Sequence, residues 1–431
     1  MSRPVVGFAG LTHLGLVSTA AVASLGFRVI AFDPDAGRVS AGAAARLPVM
    51  EPGLEELLRG SGPRVIFTER AAALAECDVV YIASDVPTDD SGNGDLRGLS
   101  ALIAEVIPDL SGSAVLVVLS QVPPGFTRAV RFPAERLFCQ VETLVIGRAV
   151  ERALQPERLI VGCADPGAPL PGPYAAVLGA FRCPVLRMRY ESAELAKIAI
   201  NCCLAATVSI ANTLAELSEY LGADWGEIAP ALRLDRRIGL HAYLAPGLGL
   251  GGGNLERDLA TVLRLAAASG SDAGVVRACA DNSRHRADWA LRTLHAEVLQ
   301  GKPDAVIGVL GLAYKENTRS TKNSPSLALI GHLGPWRLRV YDPVVPPTEA
   351  AHPAAAPAVS ALDAARGADV LMIMTPWPEF RDLAPRDLAA AMAGHAVVDP
   401  YRMLDAAEVV AAGLDYFTLG APPRRAGRAQ P

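Results

Sequence analysis

Residues Pro4–Asp33, PVVGFAGLTHLGLVSTAAVASLGFRVIAFD, decide the fold of this chain. Pro4–Ala9 is a short apolar run that reads as a buried strand. Gly10-Leu-Thr-His-Leu-Gly15 is a tight turn into a small-residue helix over Leu16–Leu25, and Phe27–Phe32 is a second strand closed by Asp33. Strand, glycine turn, helix and strand in that order open a dinucleotide-binding βαβ unit, whose acidic residue stands about 20 positions beyond the first glycine. The turn asks for one glycine at its bend, a second where backbone approaches pyrophosphate, and a third for close helix packing. Here the second is Thr12, so the fingerprint reads G-x-T-x-x-G. Asp33 would accept from a ribose 2′-hydroxyl and repel a 2′-phosphate, favouring NAD over NADP; its plainer role is a turn residue before Pro34.

Arg3 ahead of the apolar Val5–Leu25 has the outline of an export signal. Gly10, His13 and Gly15 punctuate that run, and Arg28 and Asp33 close it as a folded unit. The chain has 431 residues, half of them apolar and 20% charged, with a net charge of −5. That is ample for two or three domains and gives no basic footprint for nucleic acid. Seven cysteines, an odd number without a CxxC pair, argue against a disulfide framework or a zinc site. The expectation is a soluble, cytoplasmic protein with no metal, nucleic-acid or membrane partner.

The α/β alternation continues outward. Asp78–Ala83 and Ala114–Leu119 are continuous apolar runs of parallel-strand type, each followed by a polar loop, Ser84–Thr88 and Ser120–Gly125, at the edge where such sheets take ligands. The polar Thr88–Gly98 is a mobile cover or a solvated turn. Ala305–Leu310, Arg337–Tyr341, Asp369–Met374 and Ala396–Val398 repeat the strand pattern, with a helix at Ser360–Arg366, a loop at Pro343–Pro357, and a disordered, solvated tail from Ala421. Helices are expected around Glu256–Ala268 and Val275–Gln300.

In the middle lies Glu191–Leu221, 31 residues without Pro or Gly, a rod of roughly 45 Å and long enough to span two lobes. Lys197 and Asn201 are four apart and share one face of it, interrupting an apolar run; a buried helix with a snorkelling lysine is the plain alternative. Pro246–Gly253 carries five Gly in eight residues, which implies backbone running close to a ligand or another chain, a flexible linker being the alternative. The fold class is therefore α/β: two Rossmann-like open parallel sheets joined by a long central helix. The expected division is 1–190 for NAD binding, 191–300 for a central helical region, 301–420 for a second α/β domain, and 421–431 for the tail.

With these residues in place the chain resembles the UDP-glucose/GDP-mannose dehydrogenases, which oxidise nucleotide-sugars at C6 with NAD. The resemblance runs in order through GLTHLG with Asp33 and Arg38, Glu51-Pro-Gly-Leu-Glu-Glu-Leu-Leu58, Ser120-Gln-Val-Pro-Pro-Gly125, Pro156-Glu-Arg-Leu-Ile-Val-Gly162, Ala193-Glu-Leu-Ala-Lys197 with Asn201, Arg237-Ile-Gly239, the glycine loop with Asp258, Tyr314-Lys315-Glu-Asn-Thr318, and Thr375-Pro-Trp377. It implies NAD contacts at Gly10, Leu11, Thr12, His13, Leu14, Gly15, Asp33, Arg38, Thr88, Ser120, Gln121 and Lys322. Sugar and phosphate contacts are implied at Thr143, Leu144, Arg237 (reaching in from a partner subunit), Tyr243, Gly249, Leu250, Gly251 and Lys315. Lys197 and Asn201 would polarise the oxygen at the reacting carbon, Asp258 would handle protons through a water, and Glu142 is an acid/base candidate. The resemblance also implies that 301–420 binds the nucleotide-sugar and that 191–300 is a dimerisation region, giving a homodimer through the central helix.

The chain departs from that pattern at its centre. The family's two successive oxidations pass through a cysteine in G-G-S-C-F, which forms a thiohemiacetal and then a thioester. The corresponding stretch is Gly251-Gly-Gly-Asn254-Leu255, so Asn254 takes the cysteine's position. Gln121, Ile146, Leu250, Ser320, Lys322, Thr12 and Val86 depart nearby. Three readings follow: a nucleotide-sugar oxidoreductase without thioester chemistry, which stops at the aldehyde, hydrates it directly or uses NAD reversibly as a redox epimerase would; a uronic-acid-forming dehydrogenase with a water-mediated second step; and a non-catalytic NAD or nucleotide-sugar binder.

Overall fold

The computed structural model describes residues 3–46, 50–89, 92–251 and 253–427. Within the stretches read from sequence, residues 90, 91, 252 and 428–431 lie outside the described residues. The chain divides into two compact units, one ending at Ile200 and the next beginning at Asn201, so the break falls inside the long helix.

The first unit is built on an eight-stranded sheet: β1 Val5–Ala9, β2 Arg28–Phe32, β3 Val65–Thr68, β4 Val79–Ile82, β5 Val115–Val118, β6 Leu137–Gln140, β7 Leu159–Cys163 and β8 Val185–Arg189, in the order 3-2-1-4-5-6-7-8. All neighbours are parallel except β6 and β7. Alternate side chains fill two cores: Phe8, Tyr81, Val117 and Phe138 pack on one face, Val80, Ile82, Leu116 and Val118 on the other. A strand buried on both faces must be apolar throughout, which is why its pattern is continuous rather than alternating. The strand order reverses between β1 and β4, the switch point at which open α/β sheets bind ligands.

The second unit carries a wholly parallel six-stranded sheet of β9 Val306–Leu310, β10 Arg337–Tyr341, β11 Ala355–Pro357, β12 Val370–Ile373, β13 Ala396–Val398 and β14 Asp415–Phe417, in the order 11-10-9-12-13-14. The same topology is thus drawn twice, and its first turn is repeated in detail. Gly10 has φ +96° and Gly311 φ +92°. Their amides donate to Phe32 O and Tyr341 O at 2.9 and 2.7 Å. In both, the acidic residue after the second strand accepts from the turn, Asp33 from the Leu11 amide at 2.7 Å and Asp342 from the Leu312 amide at 2.6 Å. Asp342 also accepts from the Ala313, Val344 and Val345 amides and the Trp377 indole.

The long helix runs Tyr190–Leu221. It is long and apolar enough to cross a membrane by length and composition, yet Glu194, Asn201, Asn212 and Ser218 on it are buried within the fold. Its first turns lay Tyr190, Ala193, Ala196 and Ile200 on the first sheet's core; Ala211 and Ala215 pack with Trp225, Ala229 and Leu244. Further helices at Asn254–Ser269 and Gly274–Ala287 agree with expectation, and the third region continues through Trp289–Leu294 into a π-helical turn, His295–Leu299.

Two expectations are corrected. The 343–357 loop contains a 3-10 turn at Pro347–Ala350 and the edge strand β11, which tolerates Pro357 because an edge leaves one side of the ladder unpaired. The tail is not solvated from Ala421: Tyr416 and Arg424 form an antiparallel bridge, and Arg425 pairs with Glu297 at 2.6 Å and Asp415 at 3.2 Å.

Candidate active site

The β1 turn is shaped by close approach. A Cβ on Gly10 would lie 2.9 Å from Ser84, and one on Gly15 would lie 1.7 Å from Gly10 O, so only glycine lets this helix dock against the strand ends. Thr12, at the missing second glycine, uses its hydroxyl to accept from the Asp85 amide at 2.8 Å. The Asp85 carboxylate in turn accepts from the Leu14 amide at 3.3 Å, at the start of the helix His13–Ser24. Asp33 is 1% exposed; its oxygens take the Leu11 and Asp35 amides and, at 3.4 Å, the Arg38 guanidinium. His13 contacts Glu51 at 2.9 Å, and Glu51 also accepts from the Gly147 and Ala149 amides at 2.9 and 2.7 Å. Burial pushes the Glu51 carboxyl up, but the bonds from His13, Gly147 and Ala149 outweigh it and hold the group below its ordinary value. Thr88 forms a bridge with Gly94 in the polar loop.

Ser120, Gln121, Glu142, Glu194 and Lys197 line one crevice of about 290 Å³ in the first unit. Lys197 lies 3.2 Å from Glu142, with their side chains 14% and 16% exposed. Glu142 also accepts from the Leu144 amide, and Glu142, Thr143 and Leu144 border a neighbouring apolar cavity with Tyr81 and Phe181.

In the second unit Asn201, one helical turn after Lys197, donates to Asp258 at 2.5 Å, both residues being buried. The Arg257 guanidinium lies 3.6 Å from the other Asp258 oxygen. Asp258 stands on the first turns of the helix that Asn254 opens, after Gly253 at φ +84°. The glycine loop does run close to something, and it is this chain. A Cβ on Gly249 would meet Ser283 O at 2.7 Å, a Cβ on Gly251 would meet Tyr314 at 3.1 Å, and the Leu250 amide donates to Ser283 Oγ at 2.8 Å. Lys322 packs beside Gly253, and the Lys315 ammonium lies 5.5 Å from the Tyr314 ring centre. Arg237 and Tyr243 are not gathered with these residues: Arg237 is 89% exposed and bound to Asp235, and Tyr243 is 47% exposed.

Cys202 shares an apolar cluster with Leu250, Leu259 and Cys279. Burial, reinforced by the charge of Asp258, pushes its thiol up to about 11, which keeps it protonated at neutral pH.

Sequence reasoning assigned no role to Glu51, Asp85 or Glu194. Glu194 had a signal, since it stands three residues before Lys197 and shares its side of the helix. For the other two the partners (His13 and the Gly147 and Ala149 amides for Glu51, Thr12 and the Leu14 amide for Asp85) lie 38 to 98 residues away in sequence, and no local pattern announces them.

The sequence pattern of the UDP-glucose/GDP-mannose dehydrogenase family, NAD binding domain, matches residues 5–169. The central domain of that family matches residues 191–284, and its UDP binding domain residues 308–406. The chain belongs to the UDP-glucose/GDP-mannose dehydrogenase family. It is 30% identical to a UDP-glucose 6-dehydrogenase of Pseudomonas aeruginosa over 97% of both chains, and 28% identical to the UDP-glucose 6-dehydrogenase TuaD of Bacillus subtilis over 96% of this chain and 93% of that one. Among solved structures, a UDP-glucose dehydrogenase from Pyrobaculum islandicum superposes with a TM-score of 0.86 at 28% identity, covering 97% of this chain and 98% of that one.

As a member of this dehydrogenase family the chain is an oxidoreductase, its cofactor is NAD and its substrate class is the nucleotide-sugars. The first unit fits the cofactor. A Cβ at Gly10 or Gly15 would strike Ser84 or Gly10 O, so the turn brings the helix N-terminus tight against the strand ends, the backbone geometry that takes a pyrophosphate.

Proposed function

We propose that this chain oxidises C6 of a UDP-sugar by hydride transfer without a covalent thioester, giving the aldehyde or its hydrate. The observation that carries the reading is Asn254 at the head of the Asp258 helix, in the position that the family resemblance gives to cysteine, while the Cys202 thiol is held protonated. An amide is neither a thiolate nor able to become one.

The β1 turn, Asp33 and the 120–121 loop would hold NAD, which would supply the two-electron acceptor for the hydride. The substrate C6 hydroxyl lies against Lys197 and Asn201, whose ammonium and amide stabilise the negative charge that develops on its oxygen as the hydroxyl proton is removed, before hydride loss from C6 turns it into the carbonyl. The hydroxyl proton passes through a water to Asp258, whose carboxylate the Asn201 amide and Arg257 guanidinium hold in place. Glu142, 3.2 Å from Lys197, pairs with that ammonium and aims it. Thr143, Leu144, Gly249, Leu250, Gly251 and Lys315 are the proposed sugar and phosphate contacts.

The test is to incubate the purified protein with NAD and a panel of UDP-, GDP- and dTDP-sugars and count NADH formed per sugar consumed. One supports the reading. Two would mean that a uronic acid forms by a water-mediated second step and would sink it. None, with an altered sugar, would point to redox-neutral chemistry, and none with sugar bound but unchanged to a binder. An Asn254→Cys variant is expected to move the count from one towards two.

The chain is also proposed to form a homodimer through the central helix. Ile210, Leu214, Leu217 and Leu221 recur at intervals of four, three and four residues, so they share one face, and they are 42–76% exposed. Sedimentation of wild type against Leu217→Glu tests this: a monomeric wild type, or a variant that stays dimeric, rejects the helix stripe as the interface.

A further inference from the structure

One buried carboxylate of the first unit has no part in that chemistry. Glu194 is 4% exposed and stands one turn before Lys197 on the same helix. Its Oε2 accepts from the Gly125 amide at 2.6 Å and its Oε1 from the Thr127 amide at 2.8 Å. These amides close the 120–125 loop and open the short turn Phe126–Ala129. At the loop's other end the Ser120 hydroxyl donates to Ser84 O at 2.6 Å. The loop is therefore tied at one end to the segment after β4 and at the other to the Lys197 helix. Ser120, Gln121, Glu142, Glu194 and Lys197 all line one crevice.

Burial is the largest influence on this carboxyl and pushes it up against the two amide bonds that favour its ionised form. Packing alone would favour an apolar side chain here, since a buried carboxylate is costly unless its oxygens are filled. A carboxylate is the side chain that accepts from two amides at once while presenting no donor of its own.

We propose that Glu194 is a positioning residue: it locks the 120–125 loop to the helical turn of Lys197, so that the loop facing NAD and the ammonium facing the substrate oxygen are set as one piece. This rests on the proposed assignment of Ser120 and Gln121 to NAD and of Lys197 to the substrate.

The test is E194Q, which keeps one acceptor and turns an NH₂ group onto the other amide. Calorimetry is expected to show NAD affinity falling by about tenfold, the loss of one charge-assisted bond. Hydrogen exchange at Gly125 and Thr127 is expected to quicken by a similar factor, and kcat to fall more than the KM for the sugar rises. Binding of free uridine diphosphate is expected to stay within about twofold. E194D, which keeps both oxygens on a shorter arm, is expected to recover part of the NAD affinity, and it carries the test if E194Q does not fold. A folded variant with NAD affinity and loop exchange within about twofold of wild type, and only a lower melting temperature, would overturn the role. Wild type that fails to bind NAD overturns the site assignment on which it stands.

Discussion

Replacing Lys197 by Met separates catalysis from packing more sharply than any other single change. At 3.2 Å the ammonium and the Glu142 carboxylate attract by about 5 kcal/mol at an effective dielectric of about 20. Desolvation of two side chains only 14% and 16% exposed returns much of that. Methionine fills the same space but leaves Glu142 with the Leu144 amide alone, and stranding a mostly buried carboxylate costs the folded state about 3 kcal/mol. Loss of a donor aimed at the developing oxyanion costs roughly a hundredfold to a thousandfold in kcat. The two effects part company in Lys197→Met/Glu142→Gln, where no stranded charge remains. Thermal unfolding of the double variant is expected to return most of the way to wild type, while NADH formation from the sugar that the panel identifies stays at the single variant's level or below. If turnover in the double variant recovers to within about tenfold of wild type, Lys197 holds Glu142 and nothing else, and the mechanism given for it is wrong.

Three other variants address the first unit. Asp85→Asn takes a carboxylate off the Leu14 amide, so calorimetry is expected to show tighter NAD binding at low salt; weaker binding would mean that Asp85 serves the cofactor. His13→Ala removes a bond that holds the Glu51 carboxyl down. Because the folded value lies below the unfolded one, the stabilisation is present above the ordinary glutamate range of about 4.3 and is lost as pH falls through the folded value. The variant is expected to unfold at a higher pH on acid titration, and an unmoved acid midpoint would exclude that linkage. Gly15→Ala sets a methyl 1.7 Å from Gly10 O and is expected to destabilise the chain by about 3 kcal/mol or more; a melting temperature close to wild type would show that the turn relaxes.

What the sequence revealed of the fold follows from burial. Strands β4, β5 and β9 are covered on both faces, so their apolar runs stand out, and the turn at Gly10 is legible because its backbone tolerates no substitute. Strand β8 leaves Leu186 44% exposed and carries Arg187 and Arg189, so its pattern is that of a loop. Strands β6 and β7 pair antiparallel inside a parallel sheet, a reversal that no local signal records, and β11 hides in a Pro-rich insert. At the site, Lys197 and Asn201 stood out through helical spacing, but their partners Glu142 and Asp258, 55 and 57 residues away in sequence, are set by tertiary packing that no local pattern records. Arg237 and Tyr243 carried motif resemblance alone, and this chain leaves both near the surface.

The repeated first turn has a consequence for how one topology serves two ligands. Asp33 accepts two amides and a distant guanidinium, whereas Asp342 is filled by four amides and an indole. The second carboxylate is a sealed joint with no lone pair left for a ribose. A doubled sheet therefore need not offer the same acceptor twice: the turn's backbone is kept while its second carboxylate is spent on the chain itself.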